Sequence, residues 1–349
     1  MAAPTGRRSV ALPLTALLIP LCALSVVVSL AYGSERVPVD QVWDVVRAHL
    51  TGGVPANPAW DTIVWQLRLP RALLAVVVGA GLAVAGTGMQ TLVRNPLADP
   101  YLLGISSGAS VGATLVITVG LFASAGVYAL SLGALAGALL ASLVVYGVAR
   151  AQGGLTPIRL VLTGVVLSSA FSAVASFLVF VSDDSRAANS VMFWMLGSLA
   201  GGTWDKIGPP AVVVALSFVL MLAVHSWLDA LATGPETAHA LGVPVGALRV
   251  ALFVLLGVLV GVLVAVSGGI GFVGLIVPHA ARLVVGATHR AMLLVAAAAG
   301  ALFLVWVDVL ARVAAAPQEM PLGVVTGLIG APLFLVLMGR RGYSFGGER

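Results

Sequence analysis

The chain has 349 residues, 60% of them apolar and only 9% charged, with a mean hydropathy of +1.09. These values exclude a soluble domain and describe a protein that crosses a bilayer several times. The formal charge of +5 comes almost wholly from arginine, Lys206 being the only lysine, so the position of each cation matters more than the sum, and nothing in the pattern points to nucleic acid.

In chain order, Arg7 and Arg8 precede an uncharged run over residues 9–34. It exceeds the roughly 7–15 residues of a signal-peptide core and reads as a retained first span. It holds the lone cysteine, Cys22, which excludes an intramolecular disulfide framework and a cysteine-cluster metal site. Arg68-Leu69-Pro70-Arg71 then leads into uncharged residues 72–93, followed by Arg94-Asn95-Pro96-Leu97-Ala98-Asp99-Pro100. A run of that length is a spanning helix, and its breaker-rich ends lie at opposite membrane faces. Arginine at a helix start opposes the helix dipole, so Arg71 is expected to have an external acidic partner.

Further uncharged runs cover residues 100–149, 160–182, 187–204, 207–228, 250–281, 291–307 and 320–339. The first holds two helices with a turn within residues 120–126. Ser267-Gly268-Gly269-Ile270-Gly271 interrupts the run from 250, and residues 187–204, short and glycine-rich at the end, read as a half-helix. The fold expected is all-α and polytopic, one transmembrane domain over residues 1–349 with about ten crossings and short broken or half-helices. Glycine is abundant, 41 residues, and the spacings Gly104, Gly108, Gly112 and Gly133, Gly137 suit close helix packing.

An even number of crossings puts both termini on one side, which Arg7, Arg8, Arg340 and Arg341 mark as cytoplasmic. Arg94, Arg150, Arg249 and Arg290 share that face. Arg36, Arg47, Arg68, Arg71, Arg186 and Arg312, with Lys206, fall outside against the rule and call for another reason.

What is missing narrows the chemistry. No acidic residue occurs over residues 62–98, 100–182 or 237–307, which disfavours an ion-coupled carrier working through buried carboxylates. Asp308 stands four residues before Arg312, the spacing of an intrahelical ion pair. No GxxxxGK[ST] phosphate loop exists, because Lys206 follows Asp205 and precedes Ile207; any nucleotide hydrolysis belongs to another chain. The histidines at 49, 225, 239, 279 and 289 lack HExxH-type spacing, and His279, after Pro278, reads as helix-end hydrogen bonding or else as a metal or heme ligand. Ser106 and Ser107 have no base nearby in sequence and suit a polar packing or translocation surface.

Asn95-Pro96-Leu97, a proline-broken segment at the cytoplasmic end of a span, suits the inner gate of a pathway. Residues 229–248 form the one long polar connector between apolar spans. Leu231, Ala238 and Leu241 fall near helical spacing, so one apolar side rests on the bundle while Glu236 and His239 face a partner; a plain solvated connector is the alternative. Gly242 reads as a close turn that tolerates no large side chain.

Arg68-Leu-Pro-Arg71, Gly86-Thr-Gly-Met-Gln90, Asn95-Pro-Leu-Ala-Asp-Pro100, Leu103-Gly-Ile-Ser-Ser-Gly-Ala109, Phe193-Trp-Met-Leu-Gly-Ser-Leu199, Gly234-Pro-Glu-Thr-Ala-His-Ala-Leu-Gly242, Gly271-Phe-Val-Gly-Leu-Ile-Val-Pro-His279 and Glu319-Met-Pro-Leu-Gly323 occur in that order. Together, over about residues 38–338, they resemble the permease family of type II ABC importers for ferric siderophores, heme and cobalamin. The resemblance implies a ten-helix subunit of the bacterial inner membrane, paired with a second copy or a homologue. It implies an external substrate-binding protein and two cytoplasmic ATPases; ATP and Mg belong to those ATPases, with no cofactor on this chain.

Arg68, Arg71 and Arg312 are implied to meet acids of the binding protein, and Gly234, Glu236, Ala238, Leu241 and Gly242 to sit in an ATPase groove. Ferric siderophore is the cargo suggested by residues 99–109, with heme or cobalamin as alternatives. Two positions depart from the family pattern: Thr288, where Asp usually precedes His-Arg, and Pro235, often acidic, which bears on the choice of ATPase.

Overall fold

The computed structural model describes residues 10–182 and 184–339; the arginines at 7, 8, 340 and 341 used to orient the chain lie outside them. The elements in chain order are α1 (Ala11–Ser29), α2 (Val39–Thr51) and α3 (Pro58–Asp61). A π-helical turn, Thr62–Arg68, joins α3 to α4 (Leu69–Val93). After a 3-10 turn at Pro100–Leu103 come α5 (Ile105–Val119), a second 3-10 segment at Ala123–Tyr128, α6 (Ala129–Ala151), α7 (Pro157–Phe180) and α8 (Ser185–Met195). The second half holds α9 (Trp204–Ala223), α10 (His225–Thr233), α11 (Pro235–Ala240), α12 (Val245–Ser267), α13 (Val273–Val285), α14 (His289–Val313) and α15 (Leu322–Gly339).

Among the described residues seven helices are long and apolar enough to span a bilayer, and the shorter apolar helices α5, α13 and α15 bring the set to ten. A 15-residue helix such as α5 rises only about 22 Å, less than a hydrocarbon core of about 30 Å. Other chain accompanies such short helices: the 3-10 turn Pro100–Leu103 leads into α5, and non-helical residues 268–272 separate α12 from α13. The expected turn, the interruption after Ser267 and the short element at Ser185–Met195 all stand where the glycines put them.

The buried centre is α4, flanked by α14, α13, α12 and α9. Glycine lets backbones touch there: a Cβ on Gly86 would lie 1.8 Å from the Gly274 carbonyl oxygen. The expected glycine spacings serve the α5–α6 crossing, where Cβ atoms on Gly112 and Gly108 would lie 1.9 and 2.6 Å from the carbonyl oxygens of Gly133 and Gly137.

Two features of residues 35–71 were not anticipated. Helix α2 is amphipathic, burying Val42 and Val45 in a small core with Leu30, Val37 and Val64, with Ala48 also buried, while Val39, Trp43 and Leu50 stay exposed. And α4 does not begin at the arginines: helical chain runs unbroken from Pro58, so Arg71 lies within a helix and the dipole argument for an external acid does not hold.

Candidate functional site

Polar groups gather at the two ends of the bundle and at the helix breaks between them. At one end, called here the connector end, α10 leads to Gly234, whose φ of 140° and ψ of 153° turn the chain into α11, and Pro235 occupies the first helical turn, where its missing N–H costs nothing. Leu231 and Ala238 are buried and Glu236 and His239 exposed, as their spacing required. Leu241 departs from that reading: it lies at the end of α11, is 68% exposed, and cannot rest on the bundle with the other two. Gly242 also corrects its expected reason, because a Cβ there would meet nothing within 4 Å. Its φ of 78° makes glycine favourable; crowding plays no part.

Asn95, Pro96 and Leu97 lie at this same end. Helix α4 stops at Arg94, left-handed at φ 55°, and the Arg94 guanidinium reaches to within 3.6 Å of where a Gly234 Cβ would be. Asn95 Oδ1 accepts from the Leu97 N–H at 2.9 Å, and Asp99 Oδ1 from the Tyr101 N–H at 2.8 Å, which caps the 3-10 turn. The Tyr101 hydroxyl then accepts from Ile270 N–H at 3.1 Å and reaches the Ile270 carbonyl at 3.2 Å. The chain break before α5 and the break between α12 and α13 thus meet inside the bundle and satisfy each other's backbone.

Ser106 and Ser107 open α5 beside that crossing, and Ser172 of α7 donates to Ser107 Oγ at 3.4 Å. Ser169, Ser172 and Ser176 are exposed at helical spacing on α7. Hydroxyls in a row on the outside of a spanning helix do not suit lipid tails; they suit a polar path or a subunit boundary. The sequence carries this stripe, but only the placement of Ser107 against Ser172 distinguishes it from the other serines.

At the opposite end, which bears α2, the three arginines expected to dock a partner are all turned inward: Arg68, Arg71 and Arg312 are 8%, 7% and 4% exposed. Arg71 Nε donates to Asp308 Oδ1 at 2.8 Å, and its Nη1 lies 2.9 and 2.8 Å from the two oxygens of Glu319. The acid expected outside the molecule is therefore supplied by this chain. Arg312 lies 3.1 Å from Asp308 Oδ2, the expected i, i+4 ion pair, although its Nε–H leans toward the Asp308 carbonyl, so the contact is one of charge. The remaining donors of Arg312 reach the carbonyls of Tyr32 and Ser29, and those of Arg68 the carbonyls of Leu30 and Glu35. Arg68 and Arg312 thus staple the α1–α2 link to the π-helical turn and to α14, while Arg71 ties α4 to α14 and Glu319. Asp308 and Arg312 were legible from spacing; that Arg71 completes the set was not, since it lies 237 residues away in sequence.

The connector end has a buried polar group that spacing did not reveal. His289, 2% exposed at the start of α14, donates through Nδ1–H and backbone N–H to Asp229 Oδ1 of α10 at 2.6 and 2.7 Å. Its Nε2 meets Thr91 Oγ1 of α4 at 2.6 Å. Burial works to raise the Asp229 pKa, but the hydrogen bonds from His289 outweigh it and hold the carboxyl below its usual range. His279, by contrast, is buried within α13 with its ring edge-on to Phe334 at 6.4 Å.

An all-α membrane protein with discontinuous crossings, a polar helix face and an exposed connector belongs among transporters. Residues 21–340 match the model of the FecCD transport family, and the chain belongs to that family. It is 41% identical over 291 residues to a cobalamin import system permease protein of Halobacterium salinarum, covering 83% of this chain and 76% of that one. It is 43% identical over 288 residues to a hemin transport system permease protein of Yersinia pestis, covering 82% and 85%. With a molybdate import system permease protein of Haemophilus influenzae the identity is 36% over 323 residues, covering 91% and 93%. A solved inward-facing metal-chelate type ABC transporter superposes with a TM-score of 0.81 at 34% identity, covering 95% of this chain and 99% of that one.

Proposed function

We propose that this chain is the permease subunit of an ATP-driven importer of metal chelates, working with two cytoplasmic ATPases, an external binding protein and a second permease copy or homologue. The observation that carries this reading is the coexistence, in one member of the family, of an exposed polar connector and a serine-bearing helix face within the span region. The connector, with Glu236, His239 and Leu241 outermost, is the ATPase contact, and hydrolysis is assigned to the partner because this chain has no phosphate loop. The end with the connector is cytoplasmic in this reading, which puts both termini inside and Asn95–Leu97 at the inner mouth.

The α7 face with Ser107 lines the path at the boundary with the second copy. Small hydroxyl groups pass a large polar chelate without holding it, as a conduit requires. Ferric siderophore is the cargo proposed, on the resemblance of residues 99–109. Binding-protein docking by Arg68, Arg71 and Arg312 requires access to buried groups, and the accessible side of the cluster is Glu319, whose side chain is 40% exposed. A carboxylate of the binding protein would exchange with Glu319 at Arg71.

The test is to copurify the chain with its native partners, identify the bound ligand by mass spectrometry, and assay that ligand in proteoliposomes with ATP inside. Uptake of a ferric siderophore, enhanced by the binding protein and abolished by Glu236→Arg, is expected. Uptake of cobalamin or heme instead would correct the cargo, and transport driven by an ion gradient without ATPase would overturn the importer reading.

A further inference from the structure

Helices α4 and α14 are fastened together along their whole length. In the middle their backbones touch: a Cβ on Gly79 would lie 2.2 Å from the Gly300 carbonyl oxygen, and one on Gly300 2.4 Å from that of Gly79. At the α2 end, buried Arg71 of α4 donates to buried Asp308 of α14 at 2.8 Å. At the connector end, Thr91 of α4 meets the ring of His289, the first residue of α14, at 2.6 Å. With polar contacts at both ends and backbone contact between them, the pair cannot splay or slide without burying unpaired groups.

The same imidazole continues the linkage outward. A carboxylate can only accept, so the Nδ1–H donates to Asp229, and the backbone N–H of His289 donates to the same oxygen. Connector helix α10 is thereby held on two donors of one residue of α14. The 25 residues of α4 rise about 37 Å, so the linked helices reach from the connector to the Arg71–Asp308–Arg312–Glu319 cluster at the far end.

We propose that His289 is a positioning residue that clamps the connector to a rigid α4–α14 strut, and that this strut carries displacement of the connector to the charge cluster at the opposite end. The inference rests on the reading of the connector as the ATPase contact. It places communication between the two ends in one two-helix body.

The test uses the full chain assembled with its ATPase and binding protein in lipid. Thr91→Val removes the hydroxyl that meets His289, Thr91→Ser keeps it, and His289→Gln removes the ring. With Thr91→Val and His289→Gln, ATPase copurification and basal hydrolysis should persist, while stimulation by loaded binding protein falls roughly fivefold, the equivalent of one hydrogen bond. Thr91→Ser should restore it. Wild-type stimulation in both Thr91→Val and His289→Gln would overturn the clamp, whereas failure of the unaltered chain to bind any ATPase would instead overturn the importer reading.

A second measurement needs no change to the clamp. With spin labels at Thr233 and Leu310 in a Cys22→Ser background, the distance between connector and far end should hold between nucleotide states to within about 1–2 Å, the size of a local helix shift. A larger change would show that the connector moves independently of α14 and overturn the strut.

Discussion

The two ends of the bundle are both polar, yet they treat their charges in opposite ways. At the α2 end three arginines and Asp308 are buried and joined to one another and to backbone carbonyls, with Glu319 alone half in solvent. At the connector end Glu236, His239 and Leu241 face outward, while Asp229, tied to His289, turns in. The first end uses its charges to hold four stretches of chain together; the second leaves its polar groups available to another molecule. Cations at an end of a membrane bundle are therefore not by themselves evidence of a partner. Here Arg71 and Arg312 have acids of this chain, and Arg68 has its backbone carbonyls.

The sharpest way to break that contrast is at Asp308. Asp308→Asn leaves Arg71 and Arg312 buried without their shared countercharge and should destabilise the protein by about 3–5 kcal/mol, read as a large fall in the thermal midpoint in detergent. Glu319→Gln, at the half-exposed rim of the same cluster, should cost less than about 1 kcal/mol. Equal effects would mean that the cluster is not a buried structural unit. The reversal of all three arginines to glutamate, attractive as a docking test from sequence, should unfold this end before it reports on docking.

At the connector end the expected penalties are smaller and of another kind. Gly242 is left-handed in open space, so Gly242→Ala and Gly242→Trp should each cost about 1–2 kcal/mol for the backbone alone and differ little in the thermal stability of the isolated permease. A much larger loss with Trp would restore crowding as the reason for glycine. In the assembled complex the two should separate, because only Trp presents bulk to a docked ATPase.

The smallest expected effect is one of pH. The folded-state pKa of Asp229 is depressed, so its contribution to stability is complete above the ordinary aspartate value near 4 and is lost as pH falls through the lower folded value. Thermal midpoints measured from neutral to acid pH should show a decline in that range that Asp229→Asn removes. An unchanged decline in Asp229→Asn would assign it to other carboxylates.

The spans, the half-helix at Ser185–Met195, the interruption after Ser267 and the packing glycines were legible because each depends on a local property: an apolar run, a break or a small residue at helical spacing. The Asp308–Arg312 pair was legible for the same reason, and so were the buried Leu231 and Ala238 of the connector. Leu241 was misplaced because helical spacing was carried past the point where α11 ends.

What tertiary structure alone decided was pairing across long separations. Arg71 with Asp308 and Glu319, Thr91 with His289, Tyr101 with Ile270, and Gly79 with Gly300 each join residues more than 160 positions apart, and nothing local to either partner names the other. Hydropathy determines that a segment enters the bilayer, because transfer of apolar groups from water depends on composition and length. It does not determine which polar group meets which inside, because there the cost of an unpaired donor or charge is settled only when every helix has taken its place.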